Sequence, residues 1–467
     1  MTSRLREALR DTAEDAPVYP VYERALATAR RTRRRNRGAA ALVLALVALA
    51  VTVAPVGRAP SVDPADGVAG VLPDRIGLPP IGALHVTDRP RLGPAAVLFS
   101  GERGRLNGPD PTGYVGAVGA DSDRYRILRM GAHSPAGEKV LLSPDGRYIA
   151  RSADDPERPG VDVIDLVTGR TRHVESTSEH VTFAYPAGWA PDGRHIAMVD
   201  LVFVDAQRSS LRSVLSIVSV DGRERTRVRE AAHQQIFAHP VAFTPAGDRL
   251  AYQVGNTVWV AARDGTRLSS FALPYESTLA GKGAWTPDGR WLTLATRRVD
   301  SSEWHLRRVD PLTGRDAAAL DLPAVSDVTT IRLLGWGPDG SALVAGFIPN
   351  PLSPARFDQP LEIDQRTSSG SVRGVRVLAL TPGAAEPRTV LTAPDQILAI
   401  DVADGVIESG RVREASPPGG VGGRFWWWTG LIILVWGGIA AYRGRVGLAL
   451  WFDDRRVRRA RAAASRK

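Results

Sequence analysis

The chain has 467 residues, 60 Lys and Arg against 50 Asp and Glu, a net charge of +10, and no cysteine. The lack of thiols excludes disulfides, thiolate metal sites, iron–sulfur clusters and cysteine nucleophiles. The basic excess sits at the ends: residues 1–37 hold ten basic and five acidic residues and residues 443–467 hold nine and two, which leaves about −2 between them and excludes a broad nucleic-acid-binding field.

Residues 1–37 read as a basic tail. Leu5, Ala8, Leu9 and Ala13 recur at helical spacing within residues 3–15, and a second helical stretch, 22–35, leads into the first apolar segment. Residues 38–57 carry no charge and are mostly Ala, Leu and Val, which predicts a membrane span across a core of ~30 Å. With 37 residues ahead of it and no small-residue cleavage site after it, this stretch reads as a signal anchor rather than a cleaved signal peptide. Residues 23–37 hold seven Lys or Arg and residues 58–72 hold one, so the N-terminus is expected in the cytoplasm.

Residues 58–93 contain Pro60, Pro64, Pro73, Pro79, Pro80 and Pro90 and read as a semi-rigid spacer. Strand-like runs follow at 95–100 and 114–118. Five copies of one turn motif come next: Ser143-Pro144-Asp145-Gly146-Arg147, Ala190-Pro191-Asp192-Gly193-Arg194, Thr244-Pro245-Ala246-Gly247-Asp248, Thr286-Pro287-Asp288-Gly289-Arg290 and Gly337-Pro338-Asp339-Gly340-Ser341. Pro pre-sets the second position of a type I turn, Asp suits the third, and Gly takes the left-handed position that a bulged hairpin needs. Trp189, Phe243, Trp285 and Trp336 stand two residues before four of the prolines, placed to pack between neighbouring sheets. A second hairpin follows each copy, turning at Thr168-Gly169, Asp221-Gly222, Asp264-Gly265, Thr313-Gly314 and Pro382-Gly383.

Two hairpins per repeat, at steps of 42 to 54 residues, predict the four-stranded blades of an all-β propeller. The late strand-like run 397–402 can join the early ones in one shared blade, giving six blades; seven is the alternative if each end supplies its own. The motif resembles the WD40-like repeats of the TolB-like β-propeller family over residues 137–391, and the Arg-rich, Lys-poor composition resembles that of actinobacterial proteins. The resemblance implies the fold and leaves function open, because that family holds binding modules, translocation components and non-catalytic domains of peptidases. Copy three departs from the consensus at Ala246 and Asp248.

The longest insertion, 347–373, is a candidate binding loop. Residues 417–424 form a Pro/Gly linker, and 425–442 are an uncharged stretch with Trp426, Trp427, Trp428 and Tyr442 as interfacial anchors, predicting a second span. Residues 443–467 return as a second basic tail. The expected organisation is therefore a two-pass protein of the cell membrane, with both termini cytoplasmic and residues 94–416 forming an extracytoplasmic propeller.

No site announces itself. The eight histidines, His85, His133, His173, His180, His195, His233, His239 and His305, lack metal-ligand spacing, and nucleophile-elbow and phosphate-loop motifs are missing. The turn aspartates recur around the ring, whereas a catalytic acid is needed once, so they read as scaffold. Asp154, Asp155 and Glu157 read as a solvated acidic loop. No catalytic, cofactor-binding or metal residue is therefore expected, no cofactor, and no enzymatic activity; an enzyme such as a propeller lyase or cyclotransferase would need convergent carboxylates or histidines at the channel mouth. The expected function is an interaction module for a protein, peptide or envelope component, with anionic lipids meeting the basic tails and no nucleic-acid partner. The alternative rests on residues 1–37, which look similar to the N-termini of actinobacterial anti-sigma-type membrane regulators while lacking their zinc-binding motif: a regulator that senses outside and binds a cytosolic partner.

Overall fold

A computed structural model describes residues 70–79, 83–87, 92–105, 108–129, 135–178, 180–204, 210–232, 241–299, 301–352, 371–418 and 428–439, together with Trp451, Arg455, Arg456, Arg458 and Arg459. The chain divides into two units, 1–66 and 67–467. The first unit lies outside the described residues, and so does the predicted span 38–57.

Residues 95–402 fold into six antiparallel sheets arranged as the blades of a propeller. Blade 2 runs from its inner strand outward as Val140–Leu142, Tyr148–Ser152, Gly160–Asp165 and Thr171–Glu175. Blade 3 (Val181–Trp189 to Arg225–Ala232), blade 4 (Ala242–Phe243 to Arg267–Ala272) and blade 6 (Thr330–Trp336 to Arg388–Leu391) repeat that order. Blade 5 has three strands, Ser277–Leu279, Leu292–Arg297 and Trp304–Val309. Its fourth position is filled by residues that form no strand and pair with the third at isolated bridges, Trp304 with Val325 and Val309 with Asp316.

Blade 1 closes the ring. Its three outer strands, Ala95–Arg105, Gly108–Gly119 and Tyr125–Arg129, come from the beginning of the propeller, and its inner strand, Ile397–Val402, comes from the end. The register sets Val97 opposite Val402 and Phe99 opposite Ile400. The two ends thus share one blade, and the ring has six.

The Pro-Asp-Gly segments are turns, as their chemistry demands. Gly146, Gly193, Gly247, Gly289 and Gly340 all have φ between 63° and 79°. The Asp side chains accept backbone N–H groups two residues on: Arg147 for Asp145 at 3.0 Å, Arg194 for Asp192 at 2.9 Å, Arg290 for Asp288 at 3.0 Å and Ser341 for Asp339 at 3.0 Å. In copy three the carboxylate has moved along the chain, and Asp248 accepts the Thr244 hydroxyl at 2.6 Å.

Middle strands are buried and outer strands charged. His195–Phe203 is almost wholly buried, whereas Arg225–Ala232 keeps its Arg and Glu side chains at the rim. Charges on the outermost strand protect an edge that would otherwise pair with other chains. Trp285 and Trp336 lie between blades as expected; their indole N–H groups donate to Ala242 O at 3.1 Å and Gly283 O at 2.9 Å on the preceding blade.

The spacer expectation needs correcting. Leu72, Ile76 and Val86, within the predicted 58–93 spacer, are buried in the core around blade 1. Leu72–Pro73 pairs in parallel with Val412–Arg413, so the chain enters and leaves the propeller along one two-stranded seam. Apolar residues at this spacing gain more from burial than from standing in water, and the described spacer residues belong to the propeller.

Among the described residues no helix is long and apolar enough to cross a membrane. Of the predicted second span, residues 428–439 are helical, with Trp428, Ile432, Ile433, Leu434 and Trp436 exposed; its remaining residues lie outside the described set.

Candidate functional site

The inner strands of blades 2 to 6 end in turns, but that of blade 1 does not. Ile397–Val402 runs into a short helix, Asp404–Ser409. Gly405 N donates to Pro144 O in the turn of blade 2, at 2.9 Å, and Ile407 packs on Gly335 of blade 6. The helix therefore occupies the channel mouth on the turn face, between the two neighbouring blades.

Three charged side chains converge beneath it. Lys282, from the inner segment of blade 5, lies 3.0 Å from Asp401 Oδ1 and 2.7 Å from Asp404 Oδ1, and donates to Val402 O at 2.5 Å. Asp401 is 1% exposed, and its Oδ2 accepts Leu142 N of blade 2 at 3.0 Å. Asp404 is 38% exposed and is the member of the group that faces solvent. Burial works against the Lys282 charge, but the two carboxylates outweigh it and hold the ammonium above its ordinary pKa. Lys282 is one of only three lysines in the chain.

A second basic residue braces the same strand. Arg332, on the inner strand of blade 6, donates to Ile400 O at 2.6 Å and Ala136 O at 2.8 Å, and pairs with Glu138 at 3.1 Å. Together Lys282 and Arg332 fasten the closing strand to blades 2, 5 and 6 from the channel side.

Beside the Lys282 cluster is a cavity of about 50 Å³, walled by Leu141, Leu142, Trp189 and Phe243 and reached by Asp404. A water needs roughly 10–15 Å³ of such space, so the cavity accommodates one small group. A whole organic ligand calls for roughly 300–1,000 Å³. The cavity's lining comes from the inner segments of blades 1 to 5, so it lies at the centre of the ring. Trp285 and Trp336 bond to the blade before them, whereas Trp189 stacks on Tyr148 of blade 2 at 6.3 Å and its buried Nε1 has no acceptor among the described residues.

The residues singled out from sequence are elsewhere. Asp154 pairs with Arg151 at 2.6 Å and Asp155 Oδ1 caps the Glu157 N–H at 2.9 Å, so the acidic loop is held by its own chain. His173 is bound to Asp162 at 3.0 Å, and His195 lies between Asp192 at 2.8 Å and Glu224 at 3.2 Å. Among the described residues no three His, Asp or Glu side chains are grouped to hold a metal ion. Most of the insertion, 353–370, lies outside the described residues, as do His133, His233 and His239. Lys282, Asp401 and Asp404 carry no motif; the one available signal was the rarity of lysine.

No protein-family model matches the chain, and no curated protein matches it. Solved structures do. An oligogalacturonate lyase in complex with manganese is 16% identical, with 66% of this chain and 86% of that one covered and a TM-score of 0.38. An oligogalacturonate lyase from Vibrio parahaemolyticus is 12% identical, covering 64% and 80%, with a TM-score of 0.38. TolB from Acinetobacter baumannii is 14% identical, covering 64% and 67%, with a TM-score of 0.33. The expectation that the chain is not an enzyme is corrected here: oligogalacturonate lyases, which are enzymes, are among the propellers whose fold it is similar to. The likeness to these proteins is one of fold, a β-propeller of the kind TolB also has.

Proposed function

We propose that this chain is a membrane-anchored interaction module, whose propeller takes a single inserted group of a protein, peptide or envelope component at the channel mouth. The observation that carries the reading is the cavity of about 50 Å³ at the centre of the ring, lined from five blades by residues that include Trp189, Phe243, Lys282 and Asp404. In this reading the propeller is displayed outside the cytoplasmic membrane and both basic tails lie inside, against anionic lipid. The uncharged stretches 38–57 and 425–442 support it, as does the arginine asymmetry around the first. The helical residues 428–439, with their exposed Trp and Ile side chains, are also in keeping with an apolar surrounding.

Two experiments test the reading. A photo-crosslinking amino acid at Pro191, which lines the cavity and is exposed, should trap a discrete partner in cells, and Asp404→Asn should abolish the adduct. The same label at Tyr275, 68% exposed at the opposite end of the inner strand of blade 5, should not trap that partner. Equal adducts at both positions, or none at Pro191, would refute the site. An alkaline phosphatase reporter should be inactive when fused after Lys467 and active after Ser416; activity at Lys467 would sink the two-pass scheme.

A further inference from the structure

Trp259 stands on the third strand of blade 4, Thr257–Ala262, and packs on the apolar cluster between blades 3 and 4. Two guanidinium groups stack on its ring. Arg229, on the outer strand of blade 3, lies 3.7 Å from the ring centroid, and Arg267, on the outer strand of blade 4, lies 4.5 Å from it. The π system attracts each cation but supplies no countercharge. Among the described residues neither arginine has a carboxylate partner; Glu230, next to Arg229 in the chain, is taken by Arg212 at 2.8 Å and Arg227 at 3.3 Å. Burial pushes the Tyr252 hydroxyl up to about 12, and the charges of Arg229 and Arg267 oppose it.

The donors of this group are open. Arg267 gives one bond, from Nη2 to Ser270 Oγ at 2.8 Å. The terminal nitrogens of Arg229 give none to the described residues and, unlike its Nε, are not buried. The Trp259 indole N–H is likewise unbonded and not buried, whereas those of Trp285 and Trp336 bond to backbone and that of Trp189 is buried. The two guanidinium carbons lie no further apart than their distances to the ring centre together allow, about 8 Å. With charge-assisted N–H···O contacts of ~2.8 Å, one tetrahedral oxyanion bridges two guanidiniums at up to roughly that separation.

We propose that the outer seam of blades 3 and 4 binds a phosphate group, free or esterified, between Arg229 and Arg267, with the Trp259 N–H as a third donor. This site is separate from the central cavity. Two fixed positive charges match a dianion, and tetrahedral oxygens meet donors from two blades, whereas a carboxylate offers two oxygens in one plane. Stacking on Trp259 orients both guanidiniums before the anion arrives, which lowers the ordering cost of binding. Trp291 gives the contrast: Arg290 and Arg308 lie 5.1 and 5.9 Å from its ring, and two of the Arg308 nitrogens are committed to Ala318 O.

The test uses full-length protein in micelles of an uncharged detergent, labelled with 5-fluorotryptophan, in which Trp259→Phe identifies the Trp259 resonance among the 11 tryptophans. At constant ionic strength, inorganic phosphate should shift that resonance saturably, and acetate should bind at least tenfold more weakly. Dimethyl phosphate distinguishes the sources. Binding equal to that of inorganic phosphate assigns the site to a diester, as in a lipid headgroup, and binding at least tenfold weaker assigns it to free phosphate or a monoester. Arg229→Gln should weaken phosphate at least tenfold, and so should Arg267→Gln, whose side chain is exposed and leaves the core intact. Arg290→Gln should leave binding unchanged. No saturable shift with either phosphate, equal binding of acetate, full binding by Arg267→Gln, or an equal loss in Arg290→Gln overturns the proposal. The crosslinking result at Pro191 is untouched by any of these outcomes, so the channel-mouth reading stands or falls separately.

Discussion

Lys282 reaches past blade 6 to pair with Asp401, a carboxylate 1% exposed on the closing strand of blade 1. Because Asp401 also accepts Leu142 N, one side chain joins blades 1, 2 and 5 at the centre of the ring. Removing one partner of a buried pair leaves the other uncompensated. Lys282→Met should therefore lower unfolding stability by about 3–5 kcal/mol, with Lys282→Met/Asp401→Asn recovering part of the loss. Denaturant unfolding of the four proteins closes the cycle. Lys282 has a raised folded pKa, so its contribution is complete below the unfolded value of about 10.4 and is lost as pH rises through the folded one. The gap between wild type and Lys282→Met should accordingly narrow only in strongly alkaline solution.

Two turn glycines should separate sharply. Gly193 (φ 63°) has open space where a Cβ would stand, so Gly193→Ala carries only the left-handed penalty of about 1–2 kcal/mol. At Gly146 (φ 72°) a Cβ would come 2.1 Å from Ala95 O of blade 1. Backbone must move there, and Gly146→Ala should cost at least twice as much by thermal unfolding. Equal costs would show that the seam between blades 1 and 2 is more yielding than its contacts imply.

The three turn-proximal tryptophans make a second contrast. Trp336→Phe breaks the bond to Gly283 O and should cost about 1 kcal/mol beyond the change in packing. Trp189→Phe removes a buried donor that has no acceptor and should be neutral or stabilising. Chemical denaturation of the two variants decides it, and a larger loss for Trp189→Phe would mean that Nε1 has a partner after all.

Asp200 is wholly buried on blade 3. Desolvation pushes its pKa up; the hydroxyls of Ser176 and Ser178, at 2.6 and 2.9 Å, only partly oppose this. A carboxyl that binds its proton more tightly in the folded state makes unfolding harder as pH falls through its folded pKa. Wild type should thus gain stability relative to Asp200→Asn as the pH is lowered from neutral towards about 3.9. A pH-independent difference between the two would remove desolvation as the dominant influence on this group.

Much of this architecture is legible in the sequence because turns are local. Pro144 to Gly146 and its four relatives specify five hairpins within a few residues each, and the strand-like residues 397–402 have no closer partner than the early run at 95–100. The channel mouth is different. Lys282 and Asp401 are far apart in the chain, neither lies in a repeated position, and the helix Asp404–Ser409 is too short to show a period. The burial of Leu72 and Ile76 was hidden by the prolines around them, which signal a rigid segment without saying whether it lies on a surface or stands away from one. Tertiary packing settled both matters.

Sharing blade 1 between the two ends of the propeller also sets an order of events during synthesis. Ala95–Arg105 emerges from the ribosome before blades 2 to 6, yet its inner partner Ile397–Val402 emerges after all of them. Until then the nascent protein carries an open sheet edge whose intended mate does not yet exist, the circumstance in which strands pair with the wrong chain. A ribosome stalled anywhere before residue 397 therefore holds a product that cannot close, and crowded polysomes bring many such edges together. For this chain the hazardous stage is the interval of translation before its last strand arrives.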